Sequence, residues 1–383
     1  MVEKLIELSK DDFIIGEPLR WPIYDRNGIF LIKKGVLIET QHQIERMLLH
    51  GAFGLSVEME AAKSIQPKKT KKAKSNNFSP FELIEKATTK LYDTLHTTAS
   101  YQDDFFAQIM SVVDDIQTAC TRDSHTALAS LFLVKFNNYP IKHSIDVAVL
   151  CESLGKSMGL FIDERRSVIA AALTMNIAML ELQESLYHQE SPLTDEQKKA
   201  IFNHPEEGRE MLYKAKVDDD LWLDCVSAHH EKINGHGYAN QLMGDEYPEI
   251  TQMIVLADQY CARLSPRAYR QPLLHKGILR DILLDKGETV NEDTAALFIK
   301  ELGFYPPGLI VKLNNGEIGI VRQRGKRADT PVVQVCVKPR TGKVTTPIRQ
   351  DTSTDTFKVR QVLLSDDPEV VFDGRAVWGF DET

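Results

Sequence analysis

Ser227-Ala228-His229-His230-Glu231-Lys232-Ile233-Asn234-Gly235-His236-Gly237-Tyr238-Ala239 is the stretch on which the reading of the fold turns. Leu221, Cys225 and Val226 precede it at helical spacing, so the two histidines belong at a helix end. Successive helical residues differ by about 100° around the axis, and both rings can reach one pocket only near such an end. Neutral imidazoles are the commonest metal ligands, and Leu256-Ala257-Asp258 places a carboxylate on a second apolar helix as an anionic partner. The pattern is that of a metal site built between helices.

Working outward, further pieces occur in order: His143 in Tyr139-Pro140-Ile141-Lys142-His143-Ser144, His204-Pro205 followed by Gly208, the His229-His230-Glu231 run, Gly235-His236-Gly237-Tyr238, Asp258, and Arg267-Ala268-Tyr269-Arg270. Together they make the central part of the chain resemble the HD-GYP family, bacterial metal-dependent phosphodiesterases that cleave cyclic di-GMP. The likeness continues into Leu302-Gly303-Phe304-Tyr305-Pro306. It implies a mainly α fold, a helical bundle carrying the site, with a small β-rich module before it and a small β-rich appendage after it. It also implies that His204, His229 and His230 hold one metal ion, that His143 and Asp258 belong to a neighbouring position, and that Arg267, Arg270 and Tyr238 face the nucleotide.

The departures from the family decide the expected activity. Where the family has a His-Asp doublet and a lysine that touches the substrate phosphate, this chain has Met175, Asn176 and Met179, so no catalytic set is intact. A thioether suits the hard or borderline ions of this chemistry poorly, and an amide oxygen is neutral where the family places a bridging anion. Two dications about 4 Å apart repel by roughly 17 kcal/mol at an effective dielectric of about 20, and bridging negative charge makes the pair tolerable. A dinuclear centre is therefore not expected, while one divalent ion (zinc, iron or manganese) remains open, three histidines favouring zinc. Tyr139 stands where members with a third metal carry glutamate, Ala239 replaces the proline of Gly-Tyr-Pro, and Asn234 replaces the loop's usual aspartate.

The flanks read more plainly. Residues 1–60 form a β-rich module with a hairpin at Asn27-Gly28 between Ile23 and Ile32, and a short helix from Gln41 to Leu49. Residues 61–78 form a basic linker around Pro67-Lys68-Lys69-Thr70-Lys71-Lys72-Ala73-Lys74, which lacks the interleaved aromatics of a nucleic-acid site. Leu83, Ala87, Leu91 and Leu95, then Phe105, Ile109, Val113 and Ile116, make 79–135 a helical connector. The helical domain spans 136–303. Asn315-Gly316 opens a hairpin in the 304–383 appendage, with further strands at Val332–Val337 and Phe357–Leu364. Trp378 and Phe380 in the tail have no assigned role.

Composition sets outer limits. Across 383 residues the chain is 43% hydrophobic and 26% charged, an ordinary core-forming balance. A net charge of −9 argues against specific DNA binding by the surface at large. Cys120, Cys151, Cys225, Cys261 and Cys336 sit in apolar pattern without Cys-x-x-Cys spacing and read as reduced core residues. No apolar run approaches a membrane span, and the first residues lack the core of a secretion signal, so a cytoplasmic location is expected.

Three functions remain open. One is a signalling protein that binds cyclic di-GMP, or a related nucleotide or protein partner, with little or no hydrolysis. Another is an active phosphodiesterase on a single histidine-held ion, with Arg267 and Arg270 neutralising phosphate charge. The last is an interaction scaffold with a vestigial pocket.

Overall fold

The computed structural model describes residues 4–49, 51–63, 78–96, 104–265, 273–339, 342–375 and 378. Its chain divides into two compact units, Met1–Asn77 with Gly155–Arg166, and Phe78–Leu154 with Ser167–Thr383.

In the first unit, β1 (Leu5–Glu7), β2 (Ile23–Tyr24), β3 (Phe30–Ile32) and β4 (Phe53–Leu55) form a sheet of order β1-β4-β2-β3, with α1 (Gln41–Leu49) and α2 (Ser56–Lys63) beside it. The turn at Asn27-Gly28 forms because Asp25 accepts from the amides of Asn27 and Ile29, both at 2.8 Å. Trp21, Ile23, Ile38, Ile44 and Phe161 close one core. Arg46 holds Glu164 through two bonds at 2.8 and 2.7 Å, and buried Arg165 pairs with Glu39 at 2.6 Å. Residues 61–63, expected in the linker, belong to α2, and residues 64–77 lie outside those described.

The second unit is mainly α. It begins with α3 (Pro80–His96), α4 (Phe105–Arg122) and α5 (Ser124–Leu133), where Lys86 and Lys90 both reach Asp115, at 3.0 and 2.6 Å. Then follow α6 (Tyr139–Ser157), α7 (Ile162–Thr174), α8 (Leu180–His188), α9 (Asp195–Lys214), α10 (Asp220–Ala228), α11 (Glu249–Leu264), α12 (His275–Leu284) and α13 (Glu292–Leu302). Sequence chemistry sets the ends of these helices. Thr194 and Gln197 form a capping box for α9, Asp219 caps α10, and Asn291 caps α13. Helix α6 runs to Ser157, and Gly159, at φ 73°, turns the chain after it.

β5 (Ile310–Leu313), β6 (Ile318–Gln323), β7 (Val332–Lys338), β8 (Gly342–Asp351) and β9 (Val359–Leu363) form an antiparallel sheet of order β8-β7-β6-β5-β9. The sequence reading missed β8, whose Thr-, Arg- and Gln-bearing run lacks an apolar alternation; it pairs along β7 from Val332↔Asp351 to Lys338↔Gly342. Trp378, left without a role by its sequence context, is buried against Phe81 and Ala129 and donates to Thr126 at 2.9 Å. Phe380 lies outside the described residues. All five cysteines are buried and free. Among the described residues no helix is long and apolar enough to cross a membrane.

Candidate metal centre and nucleotide site

Four helices and one turn build the site. At Gly208, α9 lies against the end of α10 and the turn after α7: a Cβ there would sit in ordinary contact, 3.4 Å from Val226 Cγ1, 3.5 Å from Ile177 Cγ2 and 3.7 Å from the Met175 carbonyl. Trp222 of α10 donates to Thr174 at 2.8 Å, tying the last residue of α7 to the same place. His204 (α9), His229 and His230 (end of α10) thereby converge, each offering one nitrogen, and these nitrogens lie within 4.8 Å of one another.

The backbone sets the tautomers. Pro205 lies inside α9 and has no backbone N–H, so the Ile201 carbonyl loses its usual helical partner; His204 Nδ1 donates to it at 2.6 Å. Helix α10 ends at Ala228, leaving the Val226 carbonyl available, and His229 Nδ1 donates there at 2.7 Å. A carbonyl can only accept, so both protons sit on Nδ1 and both Nε2 atoms present bare lone pairs. Those lone pairs face each other at 3.0 Å. Burial lowers the His204 pKa to about 4 and that of His230 to about 3, and it drives His229 well below its ordinary value. At neutral pH the rings are neutral, so their free nitrogens are available to one cation. A divalent ion fits this donor set, whose orientation by backbone carbonyls is typical of ligating histidines.

The neighbouring position is different. His143 Nε2 (α6) and Asp258 Oδ1 (α11) meet at 2.8 Å, so these two residues bond to each other. Burial pushes Asp258 up, but the hydrogen bond and charge of His143 outweigh it, and the carboxyl stays below its usual range. Met175 is 0% and Asn176 3% exposed, both packed into the interior. His143 Nδ1 and Asn176 Oδ1 are buried without a protein hydrogen-bond partner. Asp258, the carboxylate of this set, is bonded to His143, and Asn176 offers only a neutral amide oxygen.

The loop after His230 is held by Glu231, a fully buried carboxylate. It accepts from the amides of Asn240 (2.6 Å), Gln241 (3.0 Å) and Leu242 (3.1 Å). Asn234, the residue replacing the loop's aspartate, donates to Glu288 at 2.7 Å, and Gly237 packs so closely that an added Cβ would lie 2.4 Å from Glu231 Cα. Tyr238 is thereby laid on His230, ring centroids 4.7 Å apart, and Phe202 stacks on Tyr238 at 5.4 Å. Phe202 remains 49% exposed.

The residues expected from sequence are thus brought together at His143, His204, His229, His230, Asp258 and Tyr238. Arg267 and Arg270 lie outside the described residues. Sequence reading missed the parts played by Glu231, Pro205 and Phe202. An acid directly after a histidine doublet and a proline directly after a histidine were legible signals for the first two. Phe202 carried none, being one exposed aromatic on a polar helix.

Residues 128–288 match the HD domain family. A cyclic di-GMP phosphodiesterase of Pseudomonas aeruginosa is 27% identical over 230 residues, 60% of this chain and 55% of that protein. The cyclic di-GMP phosphodiesterase PdeB of Borreliella burgdorferi is 24% identical over 208 residues, 54% of each chain. A 3'3'-cGAMP-specific phosphodiesterase of Vibrio cholerae is 27% identical over 146 residues, 38% of this chain and 28% of that one. The chain spans about half the length, or less, of these curated relatives. An HDG"Y"P protein from Bdellovibrio bacteriovorus shares the fold, with a TM-score of 0.51 and 11% identity over 78% of this chain and 99% of that one.

Proposed function

We propose, from the premise that the chain belongs through its HD domain to the HD-GYP family, that it binds cyclic di-GMP or a related cyclic dinucleotide in signalling, with little or no hydrolysis. The observation that carries this reading is the contrast between two neighbouring donor sets. His204, His229 and His230 bring one nitrogen each within 4.8 Å of one another, whereas His143 and Asp258 are bonded to each other and the doublet positions hold buried Met175 and Asn176.

In this reading His204, His229 and His230 hold a single divalent ion, with zinc favoured over iron or manganese. The ion, when bound, supplies Lewis acidity toward a phosphodiester oxygen. The chain's own residues do the rest. Asp258, kept anionic by His143, adds the negative charge that favours a cation beside three neutral rings. Tyr238 covers one face of His230 and keeps water from it. Arg267 and Arg270 are the proposed phosphate partners, since guanidinium forks pair bidentately with phosphodiesters.

Metal analysis beside a calorimetric titration with cyclic di-GMP tests the reading. It expects at most one ion per chain, lost on His229→Ala, together with nucleotide binding and negligible turnover. Two ions per chain, or brisk hydrolysis by the unaltered protein, would overturn it. The combined variant Met175→His, Asn176→Asp, Met179→Lys should gain hydrolysis, and its continued silence would count against the doublet as the cause of inactivity. A mononuclear phosphodiesterase is the second reading, favoured by the coordination position that three nitrogens leave open. It requires turnover that disappears with His229→Ala.

A further inference from the structure

Two hydrogen bonds fasten helix α10 along helix α7. Ser167 donates to Asp219, the N-cap of α10, at 2.6 Å. About two turns further along α7, Thr174 accepts from the indole Nε1–H of Trp222 at 2.8 Å. The Thr174 hydroxyl gives its own proton to the Ala170 carbonyl at 2.8 Å, so toward Trp222 it can only accept. Thr174 and Trp222 are both 0% exposed, and losing either partner leaves the other buried group unsatisfied. Asp219 meanwhile takes the backbone amide of Trp222 on its second oxygen, at 3.0 Å.

Trp222 and His229 lie about two turns apart on one stripe of α10. A helix this short moves as a rigid rod, so whatever fixes Trp222 also fixes where the far end delivers His229 and His230. Their nitrogens must meet that of His204, and metal–nitrogen bonds of about 2.0–2.1 Å tolerate little drift. The same indole is met from the other side of the sequence by Phe106 of α4, ring centroids 5.9 Å apart. Phe106 is itself 41% exposed. We propose that Trp222 is the positioning residue of the histidine site, holding α10 where its ligands meet His204, and that helix α4 of the connector bears on those ligands through it. The inference rests on the proposed function, because it takes its metal from that reading.

Zinc affinity of the full chain, measured by competition with a chelator beside the thermal midpoint of the metal-stripped protein, tests it. Thr174→Val keeps the shape and removes the acceptor, whereas Thr174→Ser keeps the acceptor and removes a methyl group. The valine variant should bind zinc roughly 2- to 30-fold more weakly, the range for residues that act through a packed neighbour, while the serine variant stays within about twofold. Trp222→Phe, which leaves no orphaned donor, should match the valine variant and guards against failure of that variant to fold. Phe106→Ala, at an exposed position, should weaken zinc binding within the same range with little change in midpoint. Unaltered affinity in Thr174→Val or Trp222→Phe, or equal losses in the valine and serine variants, overturns the positioning role. Unaltered affinity in Phe106→Ala overturns the part given to α4. Each of these results leaves the proposed function standing, whereas failure of the unaltered protein to take up zinc overturns both.

Discussion

A single proline illustrates how much chemistry one residue carries here. Pro205 does not break α9; it frees the Ile201 carbonyl, and that carbonyl sets which nitrogen of His204 bears the proton. Pro205→Ala restores a competing backbone N–H. The substitution should strengthen the helix yet weaken zinc binding by about 10- to 100-fold, the usual cost of disturbing a ligand's orienting partner. Zinc affinity measured against a competing chelator checks this, and an unchanged constant would mean that packing alone orients the ring. Asn176 is the counterpart at the second position. Its buried oxygen has the shape of the missing aspartate without its charge, and charge is the property that a pair of cations requires.

At the scale of the element, the loop after α10 is held in place from within. Glu231 holds three amides, Asn234 reaches Glu288, and Gly237 lies where no side chain fits. Gly237→Ala would push a Cβ to 2.4 Å from the Glu231 Cα and the Lys232 nitrogen, both backbone atoms, so the loop must move. The expected result is loss of the Tyr238–His230 stack, a stability cost of about 1–3 kcal/mol and weaker zinc binding. Thermal unfolding with and without zinc reads both effects. Glu231→Gln keeps the shape but removes the charge from three charge-assisted bonds, and should cost about 1.5–3 kcal/mol by the same measurement. If either variant matched the unaltered protein, the loop would not be what seats Tyr238.

For the whole molecule, the buried imidazoles make stability depend on pH. Burial lowers the pKa of His204 from 6.5 to about 4 and that of His230 from 6.5 to about 3. Between those values and 6.5 the unfolded chain binds protons that the folded chain refuses, so stability rises with pH across the window and falls as pH drops through it. Metal-stripped protein should therefore lose thermal midpoint steadily from about pH 6.5 to about pH 4, by about 2–4 °C for each kcal/mol lost. Zinc-loaded protein should begin higher and release its metal in the same range, because proton and ion compete for the same lone pairs. Replacing His204 and His230 by Gln should lessen the slope of the stripped protein, the remainder coming from His229 and His275, which burial also lowers; a profile of undiminished steepness would place the titrating groups elsewhere.

The fold class was legible in the sequence because helical periodicity, Asn-Gly turns and the order of the histidine pieces are local signals, each written within a dozen residues. Tyr139, His143, His204, His229, His230, Asp258 and the doublet positions Met175-Asn176 were named through the resemblance to the HD-GYP family, whose pieces lie in order along the chain. Strand β8 could not, since its residues become a strand only by pairing with β7. The burial of Trp378, the closure of His143 onto Asp258, the stacking of Phe202 on Tyr238 and the bond from Trp222 to Thr174 join residues distant in the chain. Such contacts depend on how helices pack. The sequence by itself determined which donors the protein possesses; the tertiary structure decided which of them converge on one place and which are taken up in hydrogen bonds, because that depends on how the helices pack.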